Sequence, residues 1–195
     1  RPEFEVKAAA SEGPFLVGDG ATVTVSAAYY AGGPLPGADV SWRVTATPGD
    51  FRPPNRDDFS FGTFVPWWDW LPRSQEPERE ETLAATTDSS GIHRLRIDFD
   101  RGDPCRPRVV HAEATVMDVN RQAWTAGADL LVHSAERYVG LRAERTFVQS
   151  GEPIAIDVIA TDLEGGAVPG RPVRLWAERL DWEQAGGEWR EVPKD

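Results

Sequence analysis

A ten-residue stretch occurs twice in this chain, and it constrains the fold more than any other feature. The first copy reads Gly33-Pro34-Leu35-Pro36-Gly37-Ala38-Asp39-Val40-Ser41-Trp42 and the second Gly166-Ala167-Val168-Pro169-Gly170-Arg171-Pro172-Val173-Arg174-Leu175. The offset is 133 residues (Pro36 to Pro169). Each copy follows one alternating segment and leads into another. Proline presets φ and glycine accepts positive φ, so Pro-Gly marks a turn between strands. Upstream, Phe15-Leu16-Val17 echoes Phe147-Val148-Gln149. A repeat of this kind predicts two copies of one all-β module in tandem.

The segments around the turns carry period-2 alternation. Val23, Val25, Ala27 and Tyr29 face one way, with Thr22, Thr24 and Ser26 on the other; Val40, Trp42 and Val44 alternate with Ser41, Arg43 and Thr45. This is the signature of half-buried antiparallel strands, and it places Trp42 in the core. Further strands are predicted at 4–8, 81–86, 94–99, 110–116 and 122–133, with turns at Asp88-Ser89-Ser90-Gly91 and Asp118-Val119-Asn120-Arg121. The spacing fits an antiparallel sandwich of about seven strands, of macroglobulin or fibronectin type, over residues 1–135. Residues 46–80 interrupt it with a Pro- and aromatic-rich excursion that holds one short strand, Ser60 to Val65. Alternation restarts at Tyr138 after Ser134-Ala135-Glu136. A strand is expected at Val173–Leu180 and a hairpin across Gly186-Gly187. Residues 136–195 are too few for seven strands, so the second domain reads as partial. Its apolar positions Ile154, Ile156, Val158 and Leu175 should be less covered than those of residues 1–135.

Composition narrows the function classes. The 195 residues carry a net charge of −11, which argues against a nucleic-acid partner. No stretch reaches the length of a membrane-spanning helix. The start at Arg1-Pro2-Glu3-Phe4-Glu5-Val6 falls inside a strand pattern, so the chain reads as a piece of something longer with no targeting signal. The single cysteine, Cys105, excludes an internal disulfide and carries no metal information.

The ordered set Pro2-Glu3-Phe4-Glu5-Val6, Tyr29-Tyr30-Ala31-Gly32-Gly33-Pro34-Leu35-Pro36-Gly37-Ala38-Asp39-Val40-Ser41-Trp42, Pro53-Pro54-Asn55-Arg56-Asp57-Asp58-Phe59 and Thr87-Asp88-Ser89-Ser90-Gly91 resembles the macroglobulin-type domains of bacterial alpha-2-macroglobulins. The resemblance implies a scaffold fragment of a large protein of the periplasm and cell envelope, with a parent that can be lipid-anchored. Its partners would be the other domains of that parent. The whole protein would trap proteases: a bait segment is cut, the molecule rearranges, and a Cys–Gln thioester captures the attacker. This chain departs from that pattern. Cys105 is followed by Arg106-Pro107-Arg108, so no Cys-x-x-Gln is present, and no bait-like segment is evident.

Candidate sites are few. Trp67, Trp68 and Trp70 flank Asp69 and could stack on sugar rings or on a protein surface. The loop's own need for apolar anchors favours their capping one end of the sandwich instead. They support an alternative reading, a carbohydrate- or surface-binding module of an adhesin-like protein. Asp98, Asp100 and Asp103 could offer oxygens to calcium, but the spacing is not that of an EF-hand. Arg101-Gly102-Asp103 spells a cell-adhesion tripeptide, which three residues do by chance. Asp57-Asp58 could be an acid–base pair, though adjacent loop acids are more often simply hydrated. His93, His111 and His133 are scattered over three strands, the first two on the polar-facing phase. No nucleophile, metal or phosphate motif appears. The expectation is a non-enzyme with no cofactor and no bound metal.

Overall fold

The computed structural model describes residues 3–62, 79–100, 106–185 and 188–193. Among them it contains strands and no helix. In chain order the first nine are β1 (Phe4–Ala10), β2 (Phe15–Leu16), β3 (Gly20–Tyr29), β4 (Asp39–Pro48), β5 (Ser60–Phe61), β6 (Arg79–Thr86), β7 (Ile92–Asp98), β8 (Arg108–Met117) and β9 (Ala123–His133). Two sheets face each other. One has the order β1-β3-β7 and the other β2-β9-β8-β4-β6. Neighbours are antiparallel except β2, which runs parallel to the end of β9.

The alternation explains what lies between the sheets. From one come Phe4, Val23, Val25 and Ala27; from the other Val40, Trp42, Ala112, Ala114, Val116, Leu130 and Val132, all buried. Each fully buried Val or Leu is worth about 1.5–3 kcal/mol relative to exposure. Trp42 is fully buried. Its indole N–H crosses the core and donates to Nδ1 of His93 at 3.0 Å. This corrects one sequence reading: His93 shares the inward phase of Leu95 and Ile97 on β7, opposite Val25. His111 does lie on the outer face, paired with Asp129.

The Thr87–Gly91 turn locks the first Pro-Gly turn. The buried Thr87 hydroxyl donates to Leu35 O at 2.7 Å and accepts from Ala38 N at 2.9 Å. Asp88 Oδ1 accepts from the N–H groups of Ser90 and Ile92, an Asx-type closure. Gly91 has φ of 71°. A Cβ there would stand 2.4 Å from Ala27 O, so only glycine fits.

The second copy begins with β10 (Tyr138–Ala143) and β11 (Ile156–Thr161), then β12 (Leu180–Ala185) and β13 (Glu188–Pro193). The 133-residue offset is visible atom by atom. Tyr138↔Thr161 repeats Glu5↔Ala28. The isolated bridge Ala28↔Pro34 recurs as Thr161↔Ala167. Leu35 N donates to Ala27 O, and Val168 N to Ala160 O. Gly18, Gly32 and Gly37 have positive φ, as do Gly151, Gly165 and Gly170. That register matches Phe15 to Val148, so the upstream echo of Phe147 is one residue out. Phe15 packs edge-on against Phe99, whereas Phe147 is exposed.

Two features of the second copy differ from the sequence reading. Residues 171–179 form no strand, although Val173–Leu180 alternates. Their first-copy counterpart, β4, is flanked by β6 and β8. Among the described residues nothing flanks 171–179, and an extended segment needs a neighbour for its N–H and C=O groups. The inward face is also uncovered: Ile156 and Val158 are 44% and 38% exposed, where Val23 and Val25 are both at 0%. β12 and β13 pair antiparallel, with Ala185 opposite Glu188; Gly186 and Gly187, where the hairpin turn is expected, lie outside the described residues.

Two substitutions should move thermal stability in opposite directions. Trp42→Ala is expected to cost about 3–5 kcal/mol through its cavity. Thr161 is fully buried and its Oγ1 has no hydrogen-bond partner among the described residues. Removing an unsatisfied buried hydroxyl at constant shape is neutral or favourable, so Thr161→Val should hold or raise the melting temperature.

Candidate functional site

The stretch 46–80 belongs by chain order to the first copy. Within its described part, residues 51–61 dock on the second. We call this segment the strap. It leaves β4 through Pro48-Gly49, where Gly49 N donates to Pro107 O, and then crosses to the start of β10.

The strap is held at four points. At its near end Phe51 sits against two rings, 4.6 Å from His133 at 85° and 4.9 Å from Tyr138. His133 Nδ1 lies 3.0 Å from the Tyr138 hydroxyl. Burial pushes the His133 imidazole below its ordinary value and the Tyr138 phenol above it. Next, Pro53 is buried, and the strap backbone meets the β11 turn at Pro54. Gly165 has φ of 85°, and a Cβ on it would lie 2.0 Å from Pro54 O. Arg56 Nε donates to Gly165 O at 2.8 Å, tying down the same point.

The third point is ionic. Arg142, on β10, donates to Asp157 at 2.7 Å and also to Asp58 of the strap. Its guanidinium lies 4.7 Å from the centre of the Phe59 ring. The hydrogen bond to Asp157 is the main reason that Arg142 is held above its ordinary value. At the far end β5 adds to the outer edge of β10, with Gly140↔Phe61 and Leu141↔Ser60 antiparallel. The Phe61 ring fills the space over Gly140, where a Cβ would fall 2.6 Å from it.

The sequence candidates fall differently. Trp67, Trp68 and Trp70 lie outside the described residues, as do Arg101, Gly102, Asp103 and Cys105. The predicted Ser60–Val65 strand is seen as Ser60–Phe61 and ends at Gly62, whose φ is 74°; residues 63–65 lie outside the described residues. Asp57 and Asp58 do not act as a pair: Asp58 faces Arg142, and Asp57 lies 3.8 Å from Arg52. Asp98 is bonded to Arg96, and Asp100 to Arg79. Phe51, Gly140, Arg142 and Gly165 were not singled out from sequence. One signal was available: position for position, Gly140 replaces Lys7 and Arg142 replaces Ala9.

No protein-family model matches the chain. A curated relative, circularly permutated Ras protein 2 of Dictyostelium discoideum, is 27% identical over 124 residues, 62% of this chain and 3% of that one. Among solved structures, native alpha-2-macroglobulin of E. coli covers 100% of this chain at 15% identity and a TM-score of 0.63. The same protein activated by porcine elastase covers 99% at 18% identity and a TM-score of 0.66. Salmonella alpha-2-macroglobulin reacted with methylamine covers 100% at 13% identity and a TM-score of 0.64. This chain spans only 13%, 18% and 14% of those three. At such identities the likeness establishes the fold: all-β sandwich of macroglobulin type along the whole chain.

The junction distinguishes shape from charge. Gly140→Lys, which installs the first copy's residue, puts a side chain where Phe61 sits and should detach β5, read as lost amide protection at Ser60 and Phe61. Arg142→Ala removes exposed ion pairs, which contribute little in water, and should leave that protection nearly intact.

Proposed function

We propose that the chain is a framework piece of a bacterial alpha-2-macroglobulin-type protease trap. Residues 1–135 form one macroglobulin-like domain and 136–195 part of a second. In this reading the chain performs no catalysis. Its task is to hold the domains in a fixed relation inside a larger periplasmic or cell-envelope protein. The single observation behind it is the whole-chain likeness: the alpha-2-macroglobulin structures of E. coli and Salmonella cover 100% of this chain at TM-scores of 0.63 and 0.64. The strap supports a frame role, since it spends eleven residues on joining the two copies rather than on lining a cleft.

The protease target and the covalent chemistry belong, in this reading, to the remainder of the parent. The test uses both. The full-length parent is incubated with elastase and run on a denaturing gel, with and without methylamine pretreatment. A covalent adduct that methylamine abolishes is expected. The 195-residue chain alone should form no adduct and leave elastase activity unchanged. Inhibition by the chain itself, or a parent that captures nothing, would overturn the proposal.

A further inference from the structure

We propose that the junction is an acid-sensitive latch: a proton taken up by His133 expels its ring from the Phe51–His133–Tyr138 cluster and lets the strap lift from β10. His133 closes β9, and its backbone is fixed from behind, where its carbonyl accepts from Val17 N. Its side chain points into the crossing. The residue is 6% exposed, with Phe51 against one side and the Tyr138 hydroxyl on Nδ1. Phe51 is the strap's anchor at this end, so displacing the imidazole removes one of the two rings that Phe51 rests on and the partner of the other.

The charged groups around it do not rescue an imidazolium. From the strap, Asp50 and Arg52 flank Phe51 and are exposed. From β10 the facing group is the neutral Tyr138 phenol, which also bonds Ser134. From β8, Arg108 lies beside Val132 and points its guanidinium to Asp100 O at 2.6 Å. The parallel neighbour β2 has no titratable side chain, and Glu136 and Arg137 of the connecting turn are exposed. The attraction of a cation to the two aromatic rings is smaller than the cost of removing it from water without a carboxylate.

The sign follows from burial, which holds the clamped imidazole below the 6.5 of a free one. A released His133 therefore binds a proton more readily than a clamped one. The latch is complete above about pH 6.5 and weakens as pH falls from there towards the depressed value of the clamped ring.

The experiment is amide exchange by NMR on the 195-residue chain at pH 7.5 and pH 5.0, corrected for intrinsic rates. Protection of Ser60, Phe61, Gly140 and Leu141 should fall on acidification. Val23 and Val25 serve as the reference and should hold. His133→Phe retains an aromatic ring that takes no proton and should flatten the profile, which separates the histidine from the Asp58, Asp157 and Arg142 charges. His133→Gln, which does not titrate, is read in the same way if the first variant fails to fold. Equal junction protection at both pH values, an undiminished fall in the variants, or a His133 imidazole titrating at or above 6.5 would each overturn the latch.

Discussion

A buried indole N–H must find an acceptor, and in this sandwich it finds one on the opposite sheet. Trp42 sits mid-way along β4, between β6 and β8, fully buried. Its partner, His93, rides on β7, the far edge of the three-stranded sheet. The bond ties the separation and relative slide of the two sheets at the β4–β7 side, where dispersion alone would tolerate small shifts. It also fixes the imidazole tautomer: Nδ1 accepts, so in the neutral ring the proton lies on Nε2. The Thr87 hydroxyl does the same at one end of the sandwich, between the Pro-Gly turn and the β6–β7 turn. Apolar burial supplies most of the stabilisation; these two polar ties select one arrangement from many of similar burial.

The two copies share a ladder and differ at its edge. β1–β3 and β10–β11 have the same register, the same closing bridge and the same positive-φ glycines. The junction rests on a few positions at which the second copy differs from the first. Lys7 on the outer strand is exposed and paired with Glu5, a common way to discourage an added strand. Its counterpart Gly140 has no side chain and takes β5 instead, a strand addition within one polypeptide. Gly32 has open space around it, while its counterpart Gly165 is covered by Pro54. The backbone conformation is the same at both positions; the second has a neighbour packed against it.

How much of this was legible in the sequence depends on how local the cause was. The strands of the first copy were, since alternation of Val23, Val25 and Ala27 against Thr22, Thr24 and Ser26 is a property of neighbouring residues. The turns were, because Pro36-Gly37 and Asp88 act within four residues. His93 was misplaced although its phase with Leu95 and Ile97 was readable; a polar residue type outweighed its position. Val173–Leu180 alternates like a strand and is not one, because pairing requires a partner that local sequence does not report. The junction was least legible. Phe51 and Tyr138 are far apart in the chain, and nothing about Gly140 alone announces an aromatic ring above it. Aligning the two copies does announce it, since a glycine where the template has an exposed lysine is a change without a local reason.

The strap's contacts also divide by what they can do. Arg142, Asp58 and Asp157 are exposed, so their attraction is screened and weak as a source of stability. Gly140 and Gly165 are buried and tolerate no Cβ. Charge therefore orients the strap on approach, and close backbone packing decides whether it seats. A joint built that way has one geometry or none, because a strap displaced by the width of a methyl group loses the ladder, the Pro54 contact and the Phe51 cluster together. That is the property the proposed framework role would call on. It also explains why a single buried imidazole at the near end can govern the whole strap.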